Sequence, residues 1–212
     1  TAIIRKYYKN HTDEHKLIAK NFNNLILSQN RRGAIKEFQN KFDFMLLDDG
    51  FQDYSINKNL SIICFKDNQL IGNGFTLPSG PLREKLDSLK EAHVILINGI
   101  KNLEFERKLL DINPNLKFFY SNYKPINIDQ FKNKDLLAVA GIGNPENFFQ
   151  LLKQNNLQIE KKLIFPDHYE FTSKDINYIL KLKKENNYQI ITTEKDFYKI
   201  EEPANKMFDF LK

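Results

Sequence analysis

The chain has 212 residues, 41% hydrophobic and 28% charged, with 32 Lys and Arg against 27 Asp and Glu for a formal net charge of +5. That is the composition of one or two globular domains with a proper core and no need of disulfide staples. A single cysteine, Cys64, excludes an internal disulfide and agrees with a reducing cytosol. No apolar run approaches the ~18 residues of a membrane-crossing helix. The lysines are scattered rather than gathered into a basic block, so the positive balance is weak support for a nucleic-acid or lipid partner.

In chain order, residues 2–4 read as a strand and residues 5–11 as a basic loop. A helix is expected from Thr12 to about Phe22, with Asp13 and Glu14 in its first turn, where acids suit the helix dipole. Residues 25–27 read as a strand and residues 31–39 as a helix. Residues 44–47 form an unbroken apolar run, expected to be a strand buried on both faces. This β-α-β-α-β series predicts a parallel, doubly wound sheet. Residues 60–65 give another strand, with Cys64 as a small core residue. Residues 71–84 carry three glycines and two prolines, which forbid a regular element and predict a shaped, ligand-facing or hinge loop.

Alternation then resumes. Helices are expected over residues 86–91, 104–110, 146–154 and 173–184, with a short one after Glu194. Strands are expected over 93–97, 116–119, 136–140, 157–164 and 189–192. Residues 122–134 read as a long polar connection. The division expected is 1–80 as part of a nucleotide-binding core, 81–200 as a second α/β domain, and 201–212 as the start of a further segment. Thr1 is not a start methionine and residues 208–212 end in an apolar pattern, so the chain is expected to be a piece of a longer protein.

The run 44–47 ends in Asp48-Asp49-Gly50. Ligands gather at the carboxyl ends of strands in open α/β sheets, and an acidic pair there can hold Mg²⁺ directly or through water. Asp-Gly is equally a strong turn signal, and the stretch alone leaves both readings open. Gly141 and Gly143, ahead of the helix at 146–154, suit an anion at a helix start or a plain tight turn. His11, His15 and His93 lack metal-like spacing and read as structural or surface residues.

Several stretches together resemble the tetraacyldisaccharide 4'-kinase family. They are Asp13-Glu14, Leu47-Asp-Asp-Gly-Phe-Gln52, Gly72-Asn-Gly-Phe-Thr-Leu-Pro-Ser-Gly-Pro-Leu-Arg-Glu84, Ala140-Gly-Ile-Gly-Asn-Pro-Glu146, Phe165-Pro-Asp-His168 and Thr193-Glu-Lys-Asp196. The long Gly/Pro loop following Asp-Asp-Gly-Phe-Gln is the specific part. The resemblance implies a P-loop core, a second α/β domain and a hinge between them. It implies an enzyme moving the γ-phosphate of ATP to the 4'-hydroxyl of an acylated glucosamine disaccharide, at the cytoplasmic face of the bacterial inner membrane, with no nucleic-acid partner. On the matching positions it implies Asp48 and Asp49 at Mg²⁺, Asp13 as catalytic base and His168 as the histidine tuning it. Asp13 and His168 lie far apart in sequence, so their meeting is expected to depend on domain closure. Arg83 suits phosphate, with a surface pair to Glu84 as the plain alternative. Gln52 suits a hydrogen bond to Asp49. Glu194-Lys195-Asp196 reads as no more than a helix start.

The sequence departs from the family in places. No Gly-x-x-x-x-Gly-Lys-Ser/Thr occurs in these residues. The resemblance implies that this loop precedes Thr1, together with a membrane-anchoring helix, so these 212 residues alone are expected to be inactive. Asp53 stands where histidine is usual, and Thr12 and His15 replace glycine and proline around Asp13-Glu14. Two competing readings are a P-loop phosphotransferase or ATPase with another acceptor, and a basic, non-enzymatic binding module. The first shares Asp48 and Asp49 but gives no reason for the 72–84 loop or for residues 165–168; the second predicts Lys and Arg clustered on one face with interleaved aromatics, whereas the Phe and Tyr here fall mainly within apolar runs.

Overall fold

The computed structural model describes residues 1–8, 12–200 and 203–212, with the side chains of Thr12 and Asp13 outside that description. The elements run β1 (Ala2–Lys6), α1 (Thr12–Asn21), β2 (Leu25–Ser28), α2 (Arg31–Phe38), β3 (Met45–Asp48) and β4 (Ile62–Lys66). After a 3-10 turn over Leu86–Glu91 come β5 (Val94–Asn98), α3 (Leu103–Leu110) and β6 (Lys117–Ser121). A second 3-10 turn, Ile128–Phe131, leads to β7 (Leu136–Ala140), α4 (Pro145–Gln154), β8 (Ile159–Ile164) and α5 (Ser173–Asn186). The series ends with β9 (Gln189–Thr193), α6 (Glu194–Phe197), a 3-10 turn over Ala204–Met207 and β10 (Asp209–Leu211). The fold is α/β with parallel sheets, as the alternation predicts.

Contacts divide the chain into two units: Thr1–Gln29 with Pro125–Lys212, and Asn30–Lys124. The blocks 1–80 and 81–200 cut it elsewhere. The chain leaves the first unit after β2 and returns to it after β6, a crossing that a linear run of elements does not reveal.

In the first unit β1 pairs in parallel with β2, Ile3 opposite Leu25. The other sheet has the order β10-β9-β7-β8, all parallel. Its centre is β7, whose five residues Leu-Leu-Ala-Val-Ala are all buried. Successive side chains of a strand point to opposite faces. Leu136, Ala138 and Ala140 therefore pack with Phe148, Phe149 and Leu152 of α4. Leu137 and Val139 pack with Ile179 and Leu182 of α5. This three-layer core is completed by Phe131, fully buried in the segment read from sequence as a polar connection. Phe208 joins the α5 side, and the residues after it form β10, paired with β9.

In the second unit β4, β5 and β6 form a parallel sheet, Ile62 opposite Val94 and Val94 opposite Lys117. Ile95 and Ile97 pack with Phe105 and Leu109 of α3. Two expectations change here. β3 is not buried on both faces, since Leu46 is 55% exposed and the preceding Phe44 73%. An unbroken apolar run shows that a strand is present but not how many of its faces are covered. Cys64 is exposed, because the pleat turns it with Ile62 away from the side where Ile63 and Phe65 meet α3. Among the described residues no helix is long and apolar enough to cross a membrane.

Helix ends follow local chemistry. Asn144 caps α4 with Pro145 in its first turn, where the missing N–H is harmless. Thr172 and Asp175 form a capping box on α5, and Asn187 closes that helix at φ 57°. The Asp175 carboxylate accepts from the Thr172 hydroxyl at 2.6 Å, the Thr172 N–H at 2.9 Å and the Tyr169 hydroxyl at 3.0 Å. Led by the Thr172 hydroxyl, these bonds hold the Asp175 carboxyl below its ordinary value. A carboxyl with a lowered folded pKa adds stability above its unfolded pKa and loses it as pH falls through the folded one. Thr172→Ala is expected to lose about 1 kcal/mol by urea unfolding at neutral pH. Asp175→Asn should flatten the loss of stability on acidification.

Candidate functional site

The residues singled out from sequence fall into two groups, one in each unit. Asp48, Asp49, Gln52 and Arg83 belong to the second unit. Asp13, Gly141, Gly143 and His168 belong to the first.

In the second unit β3 ends at Asp48, and Asp49 takes φ 53°, a left-handed conformation that Asp tolerates better than most residues. Gly50 is needed for close approach, because a side chain there would run into Leu47. Strand ends leave carbonyls needing donors, and Arg31 of α2 supplies them. Its Nη2 donates to the Asp48 carbonyl at 2.8 Å and the Asp49 carbonyl at 3.0 Å. Its Nη1 lies 3.8 Å from the Asp53 carboxylate. A hydrogen bond from the Ser55 hydroxyl at 2.6 Å is the chief cause holding the Asp53 carboxyl below its ordinary value. The Asp49 carboxylate pairs with Arg83. Arg83 does not pair with Glu84, whose carboxylate accepts from the Tyr54 hydroxyl at 2.5 Å. Among the described residues Gln52 makes no hydrogen bond to Asp49.

The Gly/Pro loop is shaped as expected. Asn73 ties its two arms by donating to the Ser79 carbonyl at 2.8 Å and accepting from the Phe75 N–H at 3.1 Å. Backbone bonds Leu77 N–H to Leu82 carbonyl (2.8 Å) and Leu82 N–H to Phe75 carbonyl (3.2 Å) complete it. Among the described residues no three His, Cys, Asp or Glu side chains cluster as a metal cage.

In the first unit the turn after β7 is locked to α6. Asp196, with no exposed surface, accepts from the Gly141 N–H at 2.8 Å and the Thr193 hydroxyl at 2.8 Å. Lys199, only 6% exposed, donates to Asp196 at 2.8 Å and to the Gly141 carbonyl at 3.0 Å. Both polar groups of the Gly141 backbone are thus taken, which at Gly141 favours the tight-turn alternative over the anion cradle. The surroundings also oppose an anion: a side chain on Gly143 would meet the Asp167 carboxylate at 2.9 Å.

The locked helix carries Lys195. Its ammonium lies 3.4 Å from Glu14 Oε1, 3.5 Å from Asp167 Oδ1 and 3.4 Å from His168 Nε2. Glu14 Oε2 pairs with Arg5 of β1, so both carboxylate oxygens are engaged. His168 sits at φ 56°, its N–H donating to Asp167 Oδ1 at 3.0 Å. Asp13 opens α1, but its side chain lies outside the described residues. The first turn of α1 and His168 nevertheless share Lys195 within one unit, so bringing them together needs no closure between units. His15 stacks on Tyr7 at 5.8 Å and is buried, His93 Nδ1 accepts from the Ser61 N–H, and both are structural as expected. His11 lies outside the described residues.

Sequence reasoning passed over Lys195, Lys199 and Arg31. The run Thr193-Glu-Lys-Asp196 is the one local signal for Lys195. The i,i+3 spacing of Asp196 and Lys199 is a local signal, but the Gly141 carbonyl that Lys199 also reaches lies 58 residues away, and the Asp48 carbonyl held by Arg31 lies 17 away.

The family profile of the tetraacyldisaccharide-1-P 4'-kinases matches residues 6–211. The chain belongs to the tetraacyldisaccharide 4'-kinase family. It is 42% identical over 206 residues to the tetraacyldisaccharide 4'-kinase of Pelagibacter ubique, covering 94% of this chain and 65% of that protein. It is 33% identical over 196 residues to that of Haemophilus influenzae, covering 91% and 57%. The chain therefore spans roughly 57–65% of the length of these two relatives. Its fold is shared with LpxK of Aquifex aeolicus, solved as an "apo" form in complex with ATP, at a TM-score of 0.65 and 21% identity over all of this chain and 73% of that one.

The lock between α6 and Gly141 has a measurable consequence. Removing one member of a buried ion pair leaves the other charge uncompensated, a loss of about 3–5 kcal/mol. Asp196→Ala is expected to lower the urea midpoint accordingly, read by circular dichroism.

Proposed function

We propose that the full protein to which this sequence belongs is an ATP-dependent kinase, transferring the γ-phosphate to the 4'-hydroxyl of a tetraacyldisaccharide 1-phosphate in lipid A synthesis. The observation that carries this reading is the family match, which runs through both units from residue 6 to 211. As a peripheral enzyme at the cytoplasmic face of the inner membrane it would meet its acylated acceptor, with no part for nucleic acid. No Gly-x-x-x-x-Gly-Lys-Ser/Thr occurs among the 212 residues, so we assign the triphosphate grip to sequence outside them. These residues assayed alone are expected to be inactive.

Phosphoryl transfer is mainly positioning plus neutralisation of spread negative charge. Asp48 and Asp49 offer hard carboxylate oxygens at a strand end, and the donor set fits Mg²⁺, which keeps several water and phosphate ligands of its own. When bound, that ion offsets charge on the phosphate oxygens. Arg31 holds the Asp48–Asp49 turn by its two carbonyls and so fixes the backbone from which both carboxylates project. Arg83, a planar fork suited to phosphate, stands beside Asp49. Asp13 is assigned as the base that takes the proton of the 4'-hydroxyl as its oxygen bonds to the γ-phosphorus and ADP leaves. A carboxylate of ordinary pKa near 4 is a weak base for an alcohol, and His168 is assigned to orient it and share the proton.

The test is transfer by the full-length protein with ATP, Mg²⁺ and the acylated disaccharide in detergent. Asp13→Ala is expected to lower kcat about 10²–10⁴-fold, the range for loss of a general base. Asp49→Ala should raise the Mg²⁺ concentration needed for half-maximal rate. ATP hydrolysis with the disaccharide left unchanged would sink the acceptor assignment.

A further inference from the structure

We propose that Lys195 is a positioning residue of the transfer site, fixing the imidazole of His168 against the first turn of α1. The proposal rests on the kinase reading above and adds a residue that reading does not use.

An ammonium has three N–H donors and no acceptor. Lys195 faces three acceptors at nearly equal reach: Glu14 Oε1 at 3.4 Å, Asp167 Oδ1 at 3.5 Å and His168 Nε2 at 3.4 Å. Its side chain is 20% exposed, so most of it is sheltered from solvent. A donor-only group 3.4 Å from Nε2 favours the ring's lone pair there over the pull of Asp167 Oδ2, an acceptor farther from that nitrogen at 3.9 Å. The neutral ring then carries its proton on Nδ1. Lys195 thus selects one of two tautomers, and the choice decides which edge of the ring accepts a proton and which donates one.

The backbone that carries Lys195 is held independently. Thr193 caps α6, its hydroxyl accepting from the Asp196 N–H at 3.1 Å. The next residue along, Asp196, is bound to Gly141 and Lys199 as described above. A long flexible side chain becomes a positioning device when its base is fixed and its head has three partners. His168 is fixed as well, by its left-handed backbone and the bond from its N–H to Asp167. Glu14 completes the cluster: with Arg5 on one oxygen and Lys195 on the other, it serves as the strut joining α1 to α6. The carboxylate chemistry of this turn is thereby left to Asp13.

The experiment has two readings. In the full-length protein labelled with ¹⁵N, the His168 ring nitrogens are expected to report a proton on Nδ1. Lys195→Met should shift the ring toward the Nε2–H form, and Lys195→Arg, which keeps donors there, should hold the original form. In the full-length protein Lys195→Met is expected to lower kcat about 10–100-fold, as for outer supports of a site. KM for both substrates should stay within about twofold, the pattern of an interaction made only in the transition state. Lys195→Arg should recover most of the rate. A His168 tautomer indifferent to Lys195→Met, or an unchanged kcat in that variant, overturns the proposal. Should Lys195→Met fail to fold, loss of both the tautomer and the rate in folded Lys195→Arg overturns it, and retention of both supports it. If the wild-type protein transfers no phosphate, the kinase reading falls, while the tautomer comparison still decides whether Lys195 holds His168.

Discussion

The first unit turns on one buried carboxylate. Asp196 has no exposed surface, and it survives there only because an N–H, a hydroxyl and an ammonium satisfy it. Burying an unpaired charge is prohibitive, so the partners must arrive together or not at all. They come from β7's exit at Gly141, from the cap of α6 at Thr193 and from Lys199 one turn further on. One side chain therefore joins the central strand to a four-residue helix that is too short to persist by itself. Everything that α6 presents, Lys195 above all, inherits its place from that joint.

The second unit solves a similar problem with an arginine. A strand that ends in Asp48-Asp49 leaves two carbonyls and two carboxylates crowded at one turn. Arg31 takes the carbonyls and Arg83 pairs with the Asp49 carboxylate. The difference in exposure is telling. Arg31 is 9% exposed and acts as a permanent brace, whereas Arg83 and Asp49 are half exposed, and such pairs contribute little to stability. A weak, accessible pair beside a carboxylate suits a site that must exchange ligands; a buried brace suits one that must keep its shape.

Much of the fold was legible in the sequence. The alternation of short apolar runs with amphipathic stretches gave nearly every element to within a few residues, because strand and helix periods are written locally. The Gly/Pro loop was legible too, since three glycines and two prolines admit no regular element. The division into units was not, because it depends on which distant segments share a core. The exposure of Leu46 and Cys64 escaped for the same reason: an apolar side chain shows what burial would favour, and only the arrangement of layers shows what is covered.

For the site, the sequence by itself determined the family and the chemical types present: the acidic pair, the first-turn acid, the histidine and the loop arginine. Their matched order along the chain was enough for that. The tertiary structure alone decided how they are used. It took Gly141 out of the ligand-binding set by saturating its N–H and carbonyl, it joined Arg83 to Asp49 rather than to Glu84, and it brought α1's first turn and His168 onto one lysine inside a single unit. Each is a pairing between groups distant in sequence. Local periodicity carries no trace of such pairings, because a side chain's partner is chosen by the fold and not by its neighbours.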